Sequence, residues 1–174
     1  PSNGPAERFD CVVLAAHADE SLAMLSDATE AERQVLSAIP YQRNDTILHT
    51  DPSLLPRSRR AWASWNYYSP RQEGRPVILT YNLNRLQGHQ SDDPICVTLN
   101  ETGMLDEGRI LKRMVYHHPT YSRAALKAQK RFEEINGKNR TYFCGAYWGH
   151  GFHEDGVNSA LAVGRCFSRG LESC

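Results

Sequence analysis

The first strand that the sequence predicts cannot stand alone. Residues Phe9 to Ala16 form a short apolar run with adjacent β-branched valines, which is typical of a central parallel strand buried on both faces. A parallel strand reaches its neighbour only through a crossover connection, and the residues before Phe9 are too few to supply one. We therefore expect the partner strand to come from a distant part of the sequence or from outside this chain.

A series of predicted strands occupies the middle of the sequence. They are Asp45 to Thr50, Ala61 to Tyr68, Val77 to Leu83, Ile95 to Leu99 and Ile110 to His117. Turn-forming residues separate them, namely Asp51-Pro52, Ser69-Pro70, Gly74, Gly88, Asp92-Asp93-Pro94 and Gly103. Strands that follow one another in series favour antiparallel pairing. The sequence therefore predicts an α+β fold, with a mixed, largely antiparallel sheet and flanking helices.

Helices are predicted on both sides of these strands. Asp19 is placed to cap a first short helix, and Thr29 with Glu32 forms a capping box for a second one. The clearest helix spans Thr120 to Ile135 and is followed by Gly137; its apolar stripe consists of Tyr121, Ala125, Ala128, Phe132 and Ile135. A strand from Arg140 to Cys144 and a final helix from Asp155 to Phe167 complete the prediction.

Charge, hydropathy and cysteine content exclude several classes of protein. The 20 basic and 20 acidic residues give a formal net charge of zero, which argues against binding nucleic acid mainly through phosphate contacts. No apolar run approaches the roughly 20 residues that span a bilayer, and no secretory signal is visible, so we expect a cytoplasmic protein without a membrane span. The five cysteines have no Cys-x-x-Cys spacing and are expected to be reduced thiols.

The most unusual stretch lies between the last predicted strand and the last predicted helix. Residues 145–156 contain four glycines, three aromatic side chains, two histidines and two carboxylates. Glycine allows a backbone to approach a ligand closely, and a helix starting near Gly156 would offer unpaired N–H groups and a positive dipole end. A plain turn needs only one glycine, so the pattern favours a ligand-binding loop.

Histidines in and near this loop leave other chemistries open. His150 and His153, with Glu154 as a third ligand, would suit a metal-dependent hydrolase, but the His-Glu-x-x-His spacing is absent and no metal is expected. His17 follows the first strand and either lines a cofactor cleft or caps the next helix. Gly149 and Gly151 match two glycines of the dinucleotide motif G-x-G-x-x-G, but Glu154 replaces the third, so the motif fails.

Both ends of the sequence resemble one known family. Residues 9–25, FDCVVLAAHADESLAML, resemble the late strand of the flavin domain in flavin-containing amine oxidases. Residues 143–165, FCGAYWGHGFHEDGVNSALAVGR, are similar to the closing flavin-binding motif of the same superfamily. The Gly-Phe-His-Glu-Asp-Gly core most resembles the bacterial branch described as predicted NAD/FAD-binding oxidoreductases. The resemblance covers essentially the whole chain, as the C-terminal portion of a longer protein.

The resemblance implies FAD as cofactor and assigns roles to the loop. Gly145 would end the strand that runs up to the flavin, and four residues would meet the ribityl chain and the pyrimidine edge: Asp155, Gly156, Val157 and Asn158. Ala146 stands where the family commonly has a cofactor-binding carboxylate, so that contact is lost or passes to Glu154. Trp148, His150 and His153 would line the substrate site. No catalytic base is identified; His150 is considered because imidazole titrates near neutral pH.

The resemblance also implies an organisation and an activity. Residues 1–26 would be a flavin-domain strand and helix, 27–139 a substrate-type domain, and 140–174 the flavin-contacting end of the chain. The implied reaction is hydride transfer from a small-molecule substrate C–H bond to flavin. No paired aromatic cage is identifiable, which leaves amine, desaturase-like and isomerase-like substrates open.

Partners follow from the same resemblance. The half of the protein that binds the ADP part of FAD would lie outside this sequence, so this chain alone would bind FAD poorly and be inactive. Its open strand edge could pair with a second copy of the chain. The alternative is a non-enzymatic binding module that uses the aromatic loop to hold a ligand or partner.

Overall fold

The computed structural model describes residues 6–69, 77–101 and 103–170. The strands are β1 (Val12–Leu14), β2 (Tyr41–His49), β3 (Trp65–Tyr68), β4 (Ile78–Asn82), β5 (Cys96–Leu99), β6 (Ile110–Pro119) and β7 (Thr141–Phe143). The helices are α1 (Ala18–Met24), α2 (Glu30–Ser37), α3 (Leu83–Gln87), α4 (Arg123–Gln129), α5 (Phe132–Ile135) and α6 (His153–Cys166). Short 3-10 turns occupy Arg59–Ala61, Glu107–Arg109 and Ala146–Trp148. The predicted α+β class is confirmed, and the turns predicted at Pro70 and Gly74 lie outside the described residues.

The chain divides into two units, which we describe separately. The first unit contains the residues up to Gln42 and those from His118 onward, and the second contains Arg43–His117. The chain leaves the first unit along β2 and returns to it along β6. The family resemblance implies different boundaries, at residues 26 and 139, which divide flavin-binding from substrate-binding segments. That division remains a prediction.

A parallel pair of strands joins the two ends of the chain in the first unit. β1 pairs with β7, with Val12 opposite Thr141 and Leu14 opposite Phe143. The prediction that the partner of the first strand comes from a distant part of the sequence is therefore confirmed. The predicted burial of both faces is wrong, because Val12 and Val13 are 43% and 46% exposed. Only β7 flanks β1 among the described residues, so part of its apolar surface stays uncovered.

Helices α1 and α2 supply much of the first unit's core. The predicted capping box is present: the Glu32 N–H donates to Thr29 Oγ1 at 3.2 Å, and the Thr29 N–H donates to Glu32 Oε2 at 2.6 Å. Val35 and Leu36 of α2 pack into the core with Phe143 of β7. Asp19 does not cap α1, because that helix already begins at Ala18 with His17 as its N-cap.

The long predicted helix over residues 120–135 is divided in two. Ser122 caps α4 through its side chain, which leaves Tyr121 outside the helix. The Arg131 N–H then donates to the carbonyl oxygen of Ala128, only three residues back, and this tighter bond interrupts the α-helical pattern before α5. Gly137 has the positive φ of 76° that suits the residue after a helix end.

The second unit is built on a five-stranded sheet in the order β3-β4-β5-β2-β6. β4 pairs antiparallel with β3 and β5, and β5 pairs antiparallel with β2. The predicted strands are thus confirmed as a largely antiparallel sheet. The short helix α3 was not predicted, although its signals are local: Asn82 caps it through its side chain, and Gly88 ends it with a φ of 72°.

One face of this sheet is buried and mixes polar with apolar side chains. Ile47 and Ile78 pack there with Leu54 and Leu105 as the apolar core of the second unit. Beside them on this face lie Asn66, Thr80, Asn82, Cys96, Thr98 and His49. Three of these polar side chains bond one another: His49 Nε2 bonds Thr98 Oγ1 at 2.8 Å, and Thr98 Oγ1 bonds Thr80 Oγ1 at 2.8 Å. His49 Nδ1 accepts the Asp51 N–H, so the imidazole is neutral and carries its proton on Nε2. Such a series of hydrogen bonds stabilises the fold only while each side chain in it keeps its partner.

No helix among the described residues is both long enough and apolar enough to cross a bilayer. Among the same residues Cys11, Cys96, Cys144 and Cys166 are free thiols, while Cys174 lies outside the described part of the chain.

Acid should destabilise the second unit through His49. Burial lowers the pKa of His49 in the folded protein, and the Asp51 carboxylate offsets only part of that effect. As the pH is lowered, His49 therefore becomes protonated in the unfolded chain before it does so in the folded protein. The free energy of unfolding has its full value above the pKa of the unfolded histidine, about 6.5, and decreases as the pH drops below that pKa. We expect urea unfolding to show a lower midpoint at about pH 5.5 than at about pH 7.5, and His49→Gln to remove part of this difference. His89→Gln, at an exposed histidine, should leave it unchanged; an equal loss in both variants would contradict the prediction.

Candidate functional site

A crevice opens where the two parallel strands of the first unit end. Its volume is about 380 Å³, and it is lined by Ala15, Ala16, His17, Glu20, Tyr41, Pro119, Gly145, Ala146, Tyr147 and Gly151. Ala15 follows the carboxyl end of β1, and Gly145 follows that of β7. Ligands of sheets with parallel strands bind outside the carboxyl ends of those strands, so the crevice lies where such a ligand is expected.

Two aromatic rings form one wall of the crevice. The imidazole of His17 stacks on Tyr41 with a centroid distance of 4.3 Å and an interplanar angle of 16°. The Tyr41 hydroxyl accepts the Ala18 N–H at 3.1 Å, and burial raises the pKa of this phenol to about 12. The His17 N–H donates to Glu20 Oε2 at 3.1 Å. His17 therefore caps α1, as one of the two interpretations predicted, and also lines the crevice; its role towards a cofactor stays a prediction.

Three of the four loop glycines are required by the chain's own packing. A Cβ at Gly145 would lie 2.5 Å from the ring of Tyr147, and one at Gly149 would collide with the side chain of Asp155. Gly151 has a φ of 86°, and a Cβ there would lie 2.5 Å from the Tyr121 hydroxyl. These glycines do not by themselves indicate a ligand.

Gly156 is different from the other three. It lies inside α6, where glycine costs about 1 kcal/mol relative to alanine. A Cβ added to Gly156 would make only ordinary contacts, the nearest with Ala146 at 3.9 Å. No contact among the described residues requires glycine at this position, and Gly156 faces Ala146 of the crevice wall.

The start of α6 differs from the expected one. The helix begins at His153 rather than near Gly156, and the Gly156 N–H already donates to the Phe152 carbonyl oxygen at 3.2 Å. The expectation of an unpaired N–H at Gly156 is therefore wrong. The physical reason is Asp155, whose Oδ2 accepts the N–H groups of His150 and Phe152 at 3.0 Å each. This carboxylate folds the loop back on the first turn and allows the helix to begin earlier.

A hydroxyl ties the end of β7 to α6. The Gly145 N–H donates to Ser159 Oγ at 2.8 Å, and Ser159 Oγ donates to the Gly156 carbonyl oxygen at 2.8 Å. Gln129 secures the same loop from α4, since its amide nitrogen donates to the carbonyl oxygens of Tyr147 and Gly149. The sequence predicted neither the hydrogen bonds of Ser159 nor those of Gln129 and Tyr41, because their partners lie far away in the sequence.

The residues predicted for the site are spread over several surfaces. Gly145 and Ala146 line the crevice. Trp148, Asp155 and Asn158 line a second cavity of about 290 Å³, together with Gln129, Phe132, Gly149, Ser159 and Ala162. His150, His153, Glu154 and Val157 are exposed. No group of three potential metal ligands occurs in the residues described, so the metal-site alternative gains no support.

The second unit presents an apolar sheet face opposite its buried polar face. The register aligns Trp65, Tyr81, Val97 and Leu48 in one row across four strands, and Tyr67, Leu79 and Leu99 in the next. Trp65 is 50% exposed and Tyr67 is 72% exposed. Most side chains of this more exposed face are apolar, although its second row ends at the buried Thr46, whereas the buried face mixes polar side chains with Ile47 and Ile78. A contiguous apolar patch of this kind indicates a binding surface.

Comparisons with known proteins show a likeness of fold. No protein-family model matches the sequence, and no curated protein matches it significantly. Among solved structures, the chain resembles a CLA-producing fatty acid isomerase from P. acnes, with a TM-score of 0.57 and 19% sequence identity. The match covers 91% of this chain and 42% of the isomerase chain, so this chain spans less than half the length of that protein.

Removing the Asp155 carboxylate should loosen the loop that borders the crevice. We expect Asp155→Ala to lower the free energy of unfolding by about 2 kcal/mol, because two backbone N–H groups lose a charged acceptor. Hydrogen exchange at His150 and Phe152 should accelerate, as measured by NMR. Glu154→Ala, at an exposed neighbour on the same turn, should change neither quantity; unchanged exchange in Asp155→Ala would show that the carboxylate does not hold the loop.

Proposed function

We propose that this chain is the C-terminal portion of an FAD-dependent oxidoreductase that transfers hydride between a substrate C–H bond and flavin. The observation that carries the proposal is Gly156, a helical glycine whose missing side chain no contact among the described residues explains. It lies beside Ala146 at the carboxyl end of a parallel strand pair. A flat ligand that packs against this helix turn would explain why a side chain is absent.

The crevice suits a flavin ring in shape and chemistry. Its walls include Ala15, Ala16 and Ala146, which leave backbone accessible, and the stacked His17–Tyr41 pair offers an aromatic edge. Gly145 and Ala146 would hold the ring end of FAD in the crevice, with Gly156 beside Ala146. Val157 and Asn158 lie outside the crevice. When bound, FAD supplies a hydride acceptor that can also return the hydride.

The chain's own residues hold this surface in place. Ser159 connects the end of β7 to α6, and Asp155 fixes the loop between them. The Asp155 carboxylate is engaged by two N–H groups, so its role here is to position the loop. The N-terminal dipole of α6 would favour negative charge near its first turn, opposed in part by the carboxylate of Glu154.

The apolar sheet face of the second unit favours a lipid-like substrate over an amine. Tyr67, Leu79, Leu99 and their neighbours offer hydrocarbon contacts, and no aromatic cage for an amine was identifiable in the sequence. One solved structure with a similar fold is a fatty acid isomerase, which agrees with an acyl-chain substrate. We therefore propose isomerase-like or desaturase-like chemistry on a long apolar chain. The half of the same protein that binds the ADP part of FAD remains a predicted partner.

A binding module built on exposed aromatics is less well supported. Trp148 packs edge-on against Phe132 with a centroid distance of 4.9 Å and lies 5.0 Å from the ring of Tyr147. This tryptophan therefore serves internal packing rather than partner capture.

Gly156→Ala should change folding and cofactor binding in opposite directions. We expect the apoprotein to gain up to about 1 kcal/mol in free energy of unfolding, because alanine is the better helix former. In the whole polypeptide encoded by the gene, FAD affinity measured by flavin fluorescence should fall at least about tenfold, since the added methyl group would lie beside Ala146 of the crevice wall and crowd the ring there. Gly108→Ala, in the second unit, is the control and should leave FAD affinity unchanged. The proposal would be refuted if the variant were stabilised but bound FAD with unchanged affinity. It would also be refuted if the whole polypeptide did not bind FAD.

The apolar face should bind a fatty acid. We expect oleate to alter the tryptophan fluorescence of this chain and benzylamine to have no effect, because Trp65 lies on that face. Tyr67→Asp should weaken oleate binding about tenfold or more, since it places a charge among hydrocarbon contacts. Tyr68→Asp changes the neighbouring exposed tyrosine, whose side chain projects from the opposite face, and should bind oleate normally. Equal binding by both variants would exclude this face as the acyl site.

A further inference from the structure

A separate crevice lies in the second unit, at the end of β4. We call it the arginine crevice, because Arg59 and Arg85 line it, and its volume is about 290 Å³. Arg59 belongs to the 3-10 turn that follows β2, whereas Arg85 belongs to α3. The loop after α3 supplies a further wall through His89 and Asp92. The flavin proposal gives these residues no role, so the arginine crevice is a distinct feature of the second unit.

Hydrogen bonds within the chain hold both loops that line the arginine crevice. Trp62, a wall residue of the first loop, donates its Nε1 hydrogen to the Pro56 carbonyl oxygen at 2.8 Å. Asn84 holds the second loop, since its Oδ1 accepts the Ile95 N–H at 2.6 Å and its Nδ2 donates to the Asp93 carbonyl oxygen at 3.4 Å. The walls of the arginine crevice are therefore positioned by the chain itself.

The two arginines bring positive charge without a carboxylate partner. Arg59 Cζ lies 5.3 Å from the centroid of the Trp62 ring, and this cation–π contact orients the guanidinium group. Neither Arg59 nor Arg85 takes part in an ion pair among the described residues. Asp92 is the one described carboxylate that lines the arginine crevice, and it pairs with neither arginine. Both guanidinium groups are thus available to an external anion.

A buried amide adds a neutral donor to this charge. Asn82 is only 1% exposed, yet it lines the arginine crevice. Its Oδ1 accepts the Arg85 N–H at 3.2 Å, which leaves Nδ2 as the donor available to a ligand. The His89 ring contributes less, because its Nε2 is already bonded to Gln87 Oε1 at 2.8 Å.

We propose that the arginine crevice binds the oxyanion group of a small ligand, either a carboxylate or a phosphate. Guanidinium groups hold both kinds of oxyanion through paired, charge-assisted hydrogen bonds. Two such groups and the Asn82 amide outweigh the single negative charge of Asp92. The volume lies near the lower end of the range for small-molecule sites, about 300–1,000 Å³. Trp62 and Pro94 offer apolar contacts to the organic part of the ligand. This site is independent of the proposed flavin chemistry.

The test is a titration of this chain with inorganic phosphate and, separately, with butyrate, at constant ionic strength in a chloride buffer. NMR would follow the side-chain Nε–H signals of Arg59 and Arg85. We expect both signals to shift to saturation, with a Kd of about 1 mM or lower for at least one anion. Saturation by phosphate alone assigns a phosphorylated ligand, and saturation by butyrate alone assigns a carboxylate. Saturation by both supports a general oxyanion site, whereas saturation by neither would overturn the proposal.

Charge variants separate a specific site from general attraction to positive charge. Arg59→Gln and Arg85→Gln should each weaken binding about tenfold, because a charged donor is lost. Asp92→Asn should tighten binding about threefold, since it removes a repelling charge. Arg60→Gln is the matched control: it removes the same charge from the next residue of the same turn, which does not line the arginine crevice, and should leave the Kd unchanged. Circular dichroism would check that each variant is folded. Equal weakening in Arg59→Gln and Arg60→Gln would contradict the proposal.

Discussion

The first unit depends on the parallel pairing of β1 with β7. Three residues from each end of the chain are hydrogen-bonded in register, and most of the crevice lining follows one of these two strands, with Tyr41 of β2 and Pro119 of β6 completing it. His17 and α1 follow β1, whereas Gly145, the loop and α6 follow β7. Without this pairing, the two segments that resemble a flavin-binding family would have no common surface. A parallel pair of three residues is short, and the helices that bury Phe143 supply the stability that two strands alone lack.

The loop after β7 shows why a run of glycines needs a structural explanation before a functional one. Gly145, Gly149 and Gly151 make room for Tyr147, Asp155 and Tyr121. They belong to a packed turn that Asp155, Ser159 and Gln129 hold in place. Among the four loop glycines, only Gly156 has room for a side chain in the described structure. The cofactor proposal can therefore be tested at this one position.

The second unit distributes polarity in an unusual way across its sheet. On the buried face, the side chains of His49, Thr98 and Thr80 bond one another, and those of Asn66 and Asn82 bond backbone groups. Aromatic and aliphatic side chains predominate on the more exposed face. Burying polar side chains costs little free energy when each polar group has a hydrogen-bond partner. The arrangement leaves the apolar residues available for contact with a ligand, at the expense of surface solubility. This division agrees with the strand alternation in the sequence, but alternation alone does not reveal which face is covered.

Local sequence determined much of the fold. The capping box of Thr29 and Glu32, the turn residues between strands and the apolar alternation each act within a few residues, so the α+β class, the order of the elements and the existence of the middle strands followed from them. Only the tertiary structure decided the partner of β1, the break between α4 and α5, the early start of α6 and the position of His17 in the crevice. The partner of β1 and the position of His17 arise from contacts between residues far apart in the chain, such as Val12 with Thr141 and Tyr41 with Ala18. The other two features depend on short-range bonds, from Arg131 to Ala128 and from Phe152 to Asp155, that the periodic pattern did not reveal. A linear pattern holds no information on which distant groups will meet, and that is the physical reason why the site could be placed in the sequence only as a loop.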